Sequence, residues 1–242
     1  MERRIHQQMQ VVEDDHWWFR GRRAVIRAVL AGAGVPAAGR VLDAGCGSGG
    51  NWGAYSRFGV VVGVDPEVAS LRHALRRGYR GVGAASLPGL PFRVGVFDLV
   101  CATDVIEHVA DDIGALRELR RVAAPGGHLL LTVPAYQWLW SDSDVQLGHH
   151  RRYRATEVAD RCHDAGWTVV RTSYFNTALL APIAAIRWAR RRRGSSFAAT
   201  ELEQTGPRAN RLLRLPMEAE ARLVAAGARL PAGVSIACLC RN

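Results

Sequence analysis

The chain of 242 residues has no lysine: all 32 basic residues are arginine, and against 22 acidic ones they leave a formal net charge of +10. That absence excludes a lysine Schiff base, a P-loop lysine and a Tyr-x-x-x-Lys dehydrogenase pair. Cysteine is scarce, and Cys46, Cys101, Cys162, Cys238 and Cys240 show no metal-ligand spacing. They read as small apolar residues in a reducing compartment, with Cys238 and Cys240 on one face of a strand. Also missing is any run of the roughly 20 apolar residues that a bilayer span requires, and Met1-Glu2-Arg3-Arg4 leads into polar residues rather than a signal-peptide core. A cytoplasmic location is therefore expected. The basic balance either suits an anionic partner or reflects a composition that favours arginine, and nucleic acid is not the partner expected.

With 48% hydrophobic residues the chain can bury one large core. The stretch that organises it is Arg40-Val41-Leu42-Asp43-Ala44-Gly45-Cys46-Gly47-Ser48-Gly49-Gly50. Val41 and Leu42 look like a buried parallel strand that stops at an acid and turns over a ligand into a helix. The glycines supply positive φ and close backbone approach, and the helix start points its positive end at the ligand. Gly45-x-Gly47-x-x-Gly50, with Asp65 twenty positions after Gly45, also satisfies the dinucleotide fingerprint. Asp43 separates the two readings, because a carboxylate at the strand tip suits a cationic aminoacyl ligand and repels a pyrophosphate.

From 40 to 133 strand and helix patterns alternate, which predicts a parallel sheet with right-handed crossovers. Strands are expected at 40–43, 60–64, 81–86, 97–102, 128–133 and 166–171, with a last one at 231–240. Helices are expected at 5–36, 51–58, 67–78, 110–122, 156–165 and 176–189, and after Leu212 to Ala228. Pro125-Gly126-Gly127 reads as a stop and turn before the fifth strand. Trp17, Trp18 and Phe19 cannot share one helix stripe, so at least one should project from the main core.

The run Asp43-x-Gly45-x-Gly47-x-Gly49 resembles the first motif of the class I S-adenosylmethionine (SAM) dependent methyltransferases, in their type 11, UbiE- and UbiG-like branch. The likeness continues through Leu90-Pro91-Phe92, Phe97 to Ala102 and Thr103 to Val109, and covers about residues 12–175 and 231–242. It implies an α/β fold: a Rossmann-like seven-stranded methyltransferase sheet, mostly parallel with an antiparallel last strand, and helices on both faces. It also implies one domain over 1–242, with lid helices in 1–36, a SAM-binding core in 37–175, a helical cap or insert in 176–230 and the final strand in 231–242. The implied cofactor is SAM, leaving as S-adenosyl-L-homocysteine. Asp43, Ala44, Gly45, Cys46 and Gly47 would hold it, Asp65 with Pro66 would take the ribose, and Thr103 and Asp104 would lie beside the methyl. Ala85 and Ser86 stand where relatives often place an acid for the adenine amine. Trp18 and Arg20 (or Arg23) are expected to close over the site from the lid.

The loop from Tyr136 to Tyr153 is too rich in aromatic and titratable groups for a mere connector, and it follows a strand at the edge where open α/β sheets bind ligands. Tyr136, Trp138, Trp140, Arg152 and, further on, Asn176 are the substrate-side candidates. Methyl transfer is an in-line displacement, so the protein positions the acceptor and supplies a base where a proton must leave. His149, His150, Tyr153 and His108 are the candidate bases, and a histidine suits O-methylation of a hydroxyl. Glu107-His108 is read as cofactor-side or structural. The expected function is methyl transfer from SAM to a small-molecule, peptide or lipid-linked acceptor. An NAD-dependent oxidoreductase would share the glycines but shows no hydride site. A non-catalytic membrane-associated module is the other alternative, since the apolar stretch 178–189 runs into Arg190 to Arg193, giving peripheral membrane contact through 178–193.

Overall fold

The computed structural model describes residues 10–192 and 206–242; the start of the expected N-terminal helix, Arg193 and residues 194–205 lie outside the described residues. Seven strands form one sheet: β1 (Gly39–Ala44), β2 (Gly59–Val64), β3 (Gly81–Gly83), β4 (Phe97–Thr103), β5 (Ala123–Pro134), β6 (Thr168–Phe175) and β7 (Ser235–Arg241). Their order is β3-β2-β1-β4-β5-β7-β6. The first five pair in parallel, and β7 slots antiparallel between β5 and β6. The sheet expected from the sequence, mostly parallel with an antiparallel last strand, is the one observed. Strand order reverses between β1 and β4, and it is outside such a switch point that open α/β sheets leave a crevice.

Strand alternation builds a core on each face. Leu42, Val100, Leu129 and Leu131 face one side, where α4 (Asp112–Val122) and α6 (Ala155–Asp164) cover them with Leu116, Leu119, Val158 and Cys162. Val41, Leu99, Cys101 and Leu130 face the other, under α1 (Trp17–Leu30), α3 (Val68–Arg77) and α8 (Pro207–Ala225), which contribute Ile26, Val29, Leu71, Met217 and Val224. The shorter α2 (Trp52–Tyr55) follows the glycine turn, while α5 (Asp142–Leu147) and α7 (Leu180–Arg192) lie after β5 and β6. Asp111 caps α4 by accepting from the Gly114 amide at 2.8 Å. Gly21 of α1 lies so close to α8 that a Cβ there would fall 2.4 Å from the Met217 sulfur.

Several expectations need correcting. α8 is not a cap over the crevice; buried Met217, Ala221 and Val224 make it a layer of the core. Its Glu220 accepts from the Asn176, Thr177 and Ala178 amides, which ties down the exit of β6. Pro125-Gly126-Gly127 is no separate turn: Ala123 already pairs with Phe97, and residues 124–127 bulge out before His128 pairs with Leu99. Gly126 makes this bulge at φ +72°. The five cysteines are free and buried, with the Cys162, Cys238 and Cys240 sulfurs all within 4.8 Å of one another between α6 and β7.

Candidate active site

The glycine turn is drawn tight by its own backbone. The Gly45 and Cys46 amides both donate to the Val64 carbonyl, at 2.8 and 3.0 Å, and Gly45, Gly47 and Gly49 sit at φ +80°, +51° and +86°. The Gly47 amide donates to Asp65 Oδ2 at 2.8 Å, and the Glu67 amide to Asp65 Oδ1 at 2.8 Å. Asp65 therefore braces the turn through both carboxylate oxygens. Glu67, not Asp65, caps α3, and Pro66 is exposed. Ala44 and Cys46 are buried beneath the turn. Ser86 is exposed and Ala85 half-buried, so no buried side chain of theirs waits for adenine.

Asp43 is buried at the β1 tip, where Tyr79 donates to its Oδ2 at 2.5 Å while Oδ1 has no partner among the described residues. Burial pushes its carboxyl up to about 7, against the opposing effects of Tyr79 and Arg22. An unpaired buried oxygen on such a group calls for a donor or a cation. Next to it, Asn51 donates to Thr103 Oγ1 at 3.0 Å, and Thr132 to Asp104 Oδ1 at 3.0 Å. Asp104, at φ +56°, is ion-paired with Arg22 of α1. Arg20 does not take that role, because it points outward to exposed Asp15. Arg23 instead donates to the Glu13, Asp14 and Gly50 carbonyls, fastening the segment before α1 over the turn. Trp18 is half-buried and stacks on Phe175, with ring centroids 6.1 Å apart.

Beyond β4 and β5 the chain brings together a polar cluster. Glu107 is wholly buried with neither carboxylate oxygen partnered among the described residues, and burial, then Asp104, drives its carboxyl far above the usual range. His108 packs edge-on to His149 at 4.6 Å, and burial, then His149, lowers it to about 4. His149 Nδ1 lies 2.8 Å from Asp144 Oδ1, which also accepts from Arg152 Nε at 2.8 Å. Burial alone would raise the Asp144 carboxyl, but His149, Arg152 and the Ser141 amide hold it well below the carboxylate range. An ionised carboxylate only accepts, so Nδ1 of His149 donates to Asp144, and Nε2 is the ring nitrogen not engaged in that bond. Ligand atoms of Glu107, His108 and His149 lie within 4.8 Å of one another, a grouping that no sequence spacing announced.

Two of the four candidate bases fall outside this arrangement. Tyr153 is buried in the core, bonds Asp112 Oδ2 through its hydroxyl at 2.9 Å, and is pushed above its ordinary range by burial and then Asp112. His150 is exposed, and its amide donates to the Glu107 carbonyl. Of the residues expected to face a substrate, Tyr136 (φ +58°) stacks on Trp138 at 5.4 Å and on Tyr174 at 5.1 Å. Trp140 is half-buried. Asn176, at the β6 exit, is buried with both side-chain polar atoms unpartnered among the described residues. Arg22, Tyr79 and Asp144 were missed in the sequence. Arg22 had a signal, since it shares the α1 stripe with Phe19, Ile26 and Val29.

Residues 15–172 match the family described as a methyltransferase domain. A probable S-adenosylmethionine-dependent methyltransferase of Mycolicibacterium smegmatis is 32% identical over 199 residues, covering 79% of this chain and 73% of that one. An uncharacterised methyltransferase of Mycolicibacterium gilvum is 33% identical over a shorter stretch, 51% of this chain and 50% of that protein. Among solved structures, a methyltransferase of Haloferax volcanii in complex with the Trm112 activator superposes with TM-score 0.63 at 19% identity, covering 98% and 93% of the two chains. Geranyl diphosphate methyltransferase bound to SAM gives 0.60 at 18% identity, covering 92% and 85%. The chain belongs to the SAM-dependent methyltransferase family. It is an enzyme with SAM as cofactor, which removes the oxidoreductase and binding-module alternatives.

The residues fit that cofactor. A Cβ on Gly47 would meet nothing within 4 Å, so the turn opens onto free space, and the orphaned Asp43 oxygen suits the ammonium of the aminoacyl group. Asp65→Ala should weaken SAM binding by about 1.5–3 kcal/mol, the worth of hydrogen bonds to a charged group. Isothermal calorimetry checks this, and unchanged affinity would mean that Asp65 only braces the turn.

Proposed function

We propose that the chain methylates a hydroxyl on a small-molecule, peptide or lipid-linked acceptor, with His149 taking the proton. The Asp144–His149 pair carries this reading: a buried carboxylate fixes the imidazole tautomer and leaves Nε2 ready to accept. SAM supplies the methyl group on a sulfonium. Asp43, Gly47 and Asp65 hold that cofactor, Tyr136, Trp138, Trp140, Arg152 and Asn176 face the acceptor, and Arg22 fixes Asp104 beside the transfer path. A screen of hydroxyl and amine acceptors with methyl-labelled SAM tests the proposal; label found only on nitrogen would overturn it.

Exposed Ile186 and Trp188 on α7, with Leu212 and Leu215 on α8, favour the lipid-linked member of this acceptor class, reached from an anionic surface. No helix among the described residues is long and apolar enough to cross a membrane, so attachment would be peripheral. Arginines near anionic headgroups contribute on the order of 1 kcal/mol each. Sedimentation should show binding to anionic but not neutral liposomes, weakened by salt. No binding to either at low salt would leave a soluble acceptor.

A further inference from the structure

Beside the His149 cluster lies a cleft of about 420 Å³, bordered by Trp138, Arg151, Arg152, Arg154, Glu157 and Arg161. Four arginines line one concavity, and the carboxylates that hold three of their guanidinium groups are shared. Asp112 serves both Arg151, at 2.8 Å, and Arg161, at 2.6 Å. Asp144 serves both Arg152 and His149, each at 2.8 Å. Glu157 is engaged by the Arg154 amide at 2.7 Å, while Arg154 itself is exposed. Four arginines thus stand against Asp112, Asp144 and Glu157, an excess of one positive charge, and the ten-residue α6 opens its N-terminus here. Shared carboxylates also hold the Arg151, Arg152 and Arg161 guanidinium groups in fixed orientations, so less is lost when they grip a further anion.

We infer that this cleft anchors a phosphate-type group of the acceptor, so that the methylated molecule is a hydroxyl compound bearing a phosphomonoester. Planar guanidinium forks match phosphate oxygens, and half-exposed Trp138, stacked on Tyr136, gives the carrying group a flat wall. Arg152 links the two places, because it shares Asp144 Oδ1 with His149. A phosphate held in the cleft therefore sets the acceptor's hydroxyl within reach of the base. This inference rests on the reading that the acceptor meets His149.

The test is a titration of the protein with phenyl phosphate and with inorganic phosphate at low ionic strength, followed by NMR of the arginine Nε–H groups. With no lysine in the chain, arginines carry every cationic side chain but histidine. The expected result is saturable binding that perturbs Arg151, Arg154 and Arg161, that phenol does not reproduce, and that Arg154→Glu weakens about tenfold or more while SAM affinity stays at the parent value. Arg161→Gln, with melting measured alongside, gives a second reading inside the cleft. Phosphatidylcholine vesicles with and without phosphatidic acid distinguish a lipid phosphate from a soluble one: uptake by the phosphatidate vesicles alone, lost in Arg154→Glu, assigns the lipid source. No saturable change with either probe or vesicle, or equal binding by Arg154→Glu, overturns the inference. Methylation of an uncharged alcohol would then leave the reading of His149 standing, whereas phosphate binding without any O-methylation would remove that reading and keep the anion site.

Discussion

Gly47→Val should give a folded protein that no longer binds SAM. The three turn glycines differ in what a side chain would meet. A Cβ on Gly45 would fall 2.4 Å from a Val105 methyl, and one on Gly49 would fall 2.8 Å from the Ala74 backbone. Substitution at either attacks the fold first. Gly47 has nothing within 4 Å, so a valine there is resisted by its φ of +51° and not by packing. Holding a non-glycine residue in that region costs on the order of 1–3 kcal/mol. For a chain of this size that lowers the melting temperature by about 2–12 °C. The branched methyls, however, stand in the space that the turn keeps open, and the strained backbone loosens the amide bond to Asp65. A loss in SAM affinity of at least about a hundredfold, roughly 2.7 kcal/mol, is expected from calorimetry. Gly47→Ala should fall between. If Gly47→Val is folded and binds SAM within a factor of ten of the parent, the cofactor does not pass over this turn.

What the sequence made legible is what is local in it. Asp43, the glycines and Asp65 announce themselves because a strand tip, a sharp turn and a helix start occupy contiguous residues, and the glycines' φ values repeat that logic in space. The antiparallel last strand came from family resemblance, since nothing in Ser235 to Arg241 alone says that it inserts between β5 and β6. Side-chain partners across the fold were harder. Tyr79 reaches Asp43 from thirty-six positions away, and Arg22 reaches Asp104 from eighty-two. Arg20 and Arg22 are two steps apart on one helix, hence about 200° in direction, and only the apolar stripe tells which faces inward. His149, His150 and Tyr153 looked equivalent because the loop has no period to set their phase. The turn at Gly148 (φ +75°) aims His149 at Asp144, while Tyr153 is drawn into the core by its bridge to Ala135.

His149→Ala should cut turnover by about 10²–10⁴-fold, the usual contribution of a positioned general base, while SAM affinity stays at the parent value. The other titratable groups of the loop give contrasting outcomes that isolate this role. His150→Ala, at an exposed position, should leave both quantities near the parent. Tyr153→Phe removes the hydroxyl with its bond to Asp112 and should cost about 1–3 kcal/mol of stability, with turnover following the folded fraction. Asp144→Asn should show both effects. It frees the His149 tautomer, lowering turnover, and it leaves Arg152 without its carboxylate in a buried place, costing about 3–5 kcal/mol. The pH dependence of that stability loss has a defined sign. Because the folded Asp144 carboxyl is held below its ordinary range, its contribution is present above the unfolded aspartate value of about 4 and is lost as pH falls further. The melting difference between parent and Asp144→Asn should therefore be full at neutral pH and shrink below about pH 4. Steady-state rates on any accepted substrate, with SAM affinity measured separately, decide the catalytic assignment. If His149→Ala keeps turnover within threefold of the parent, or loses SAM affinity in proportion to rate, His149 is not the base and the Asp144 pair serves the fold alone.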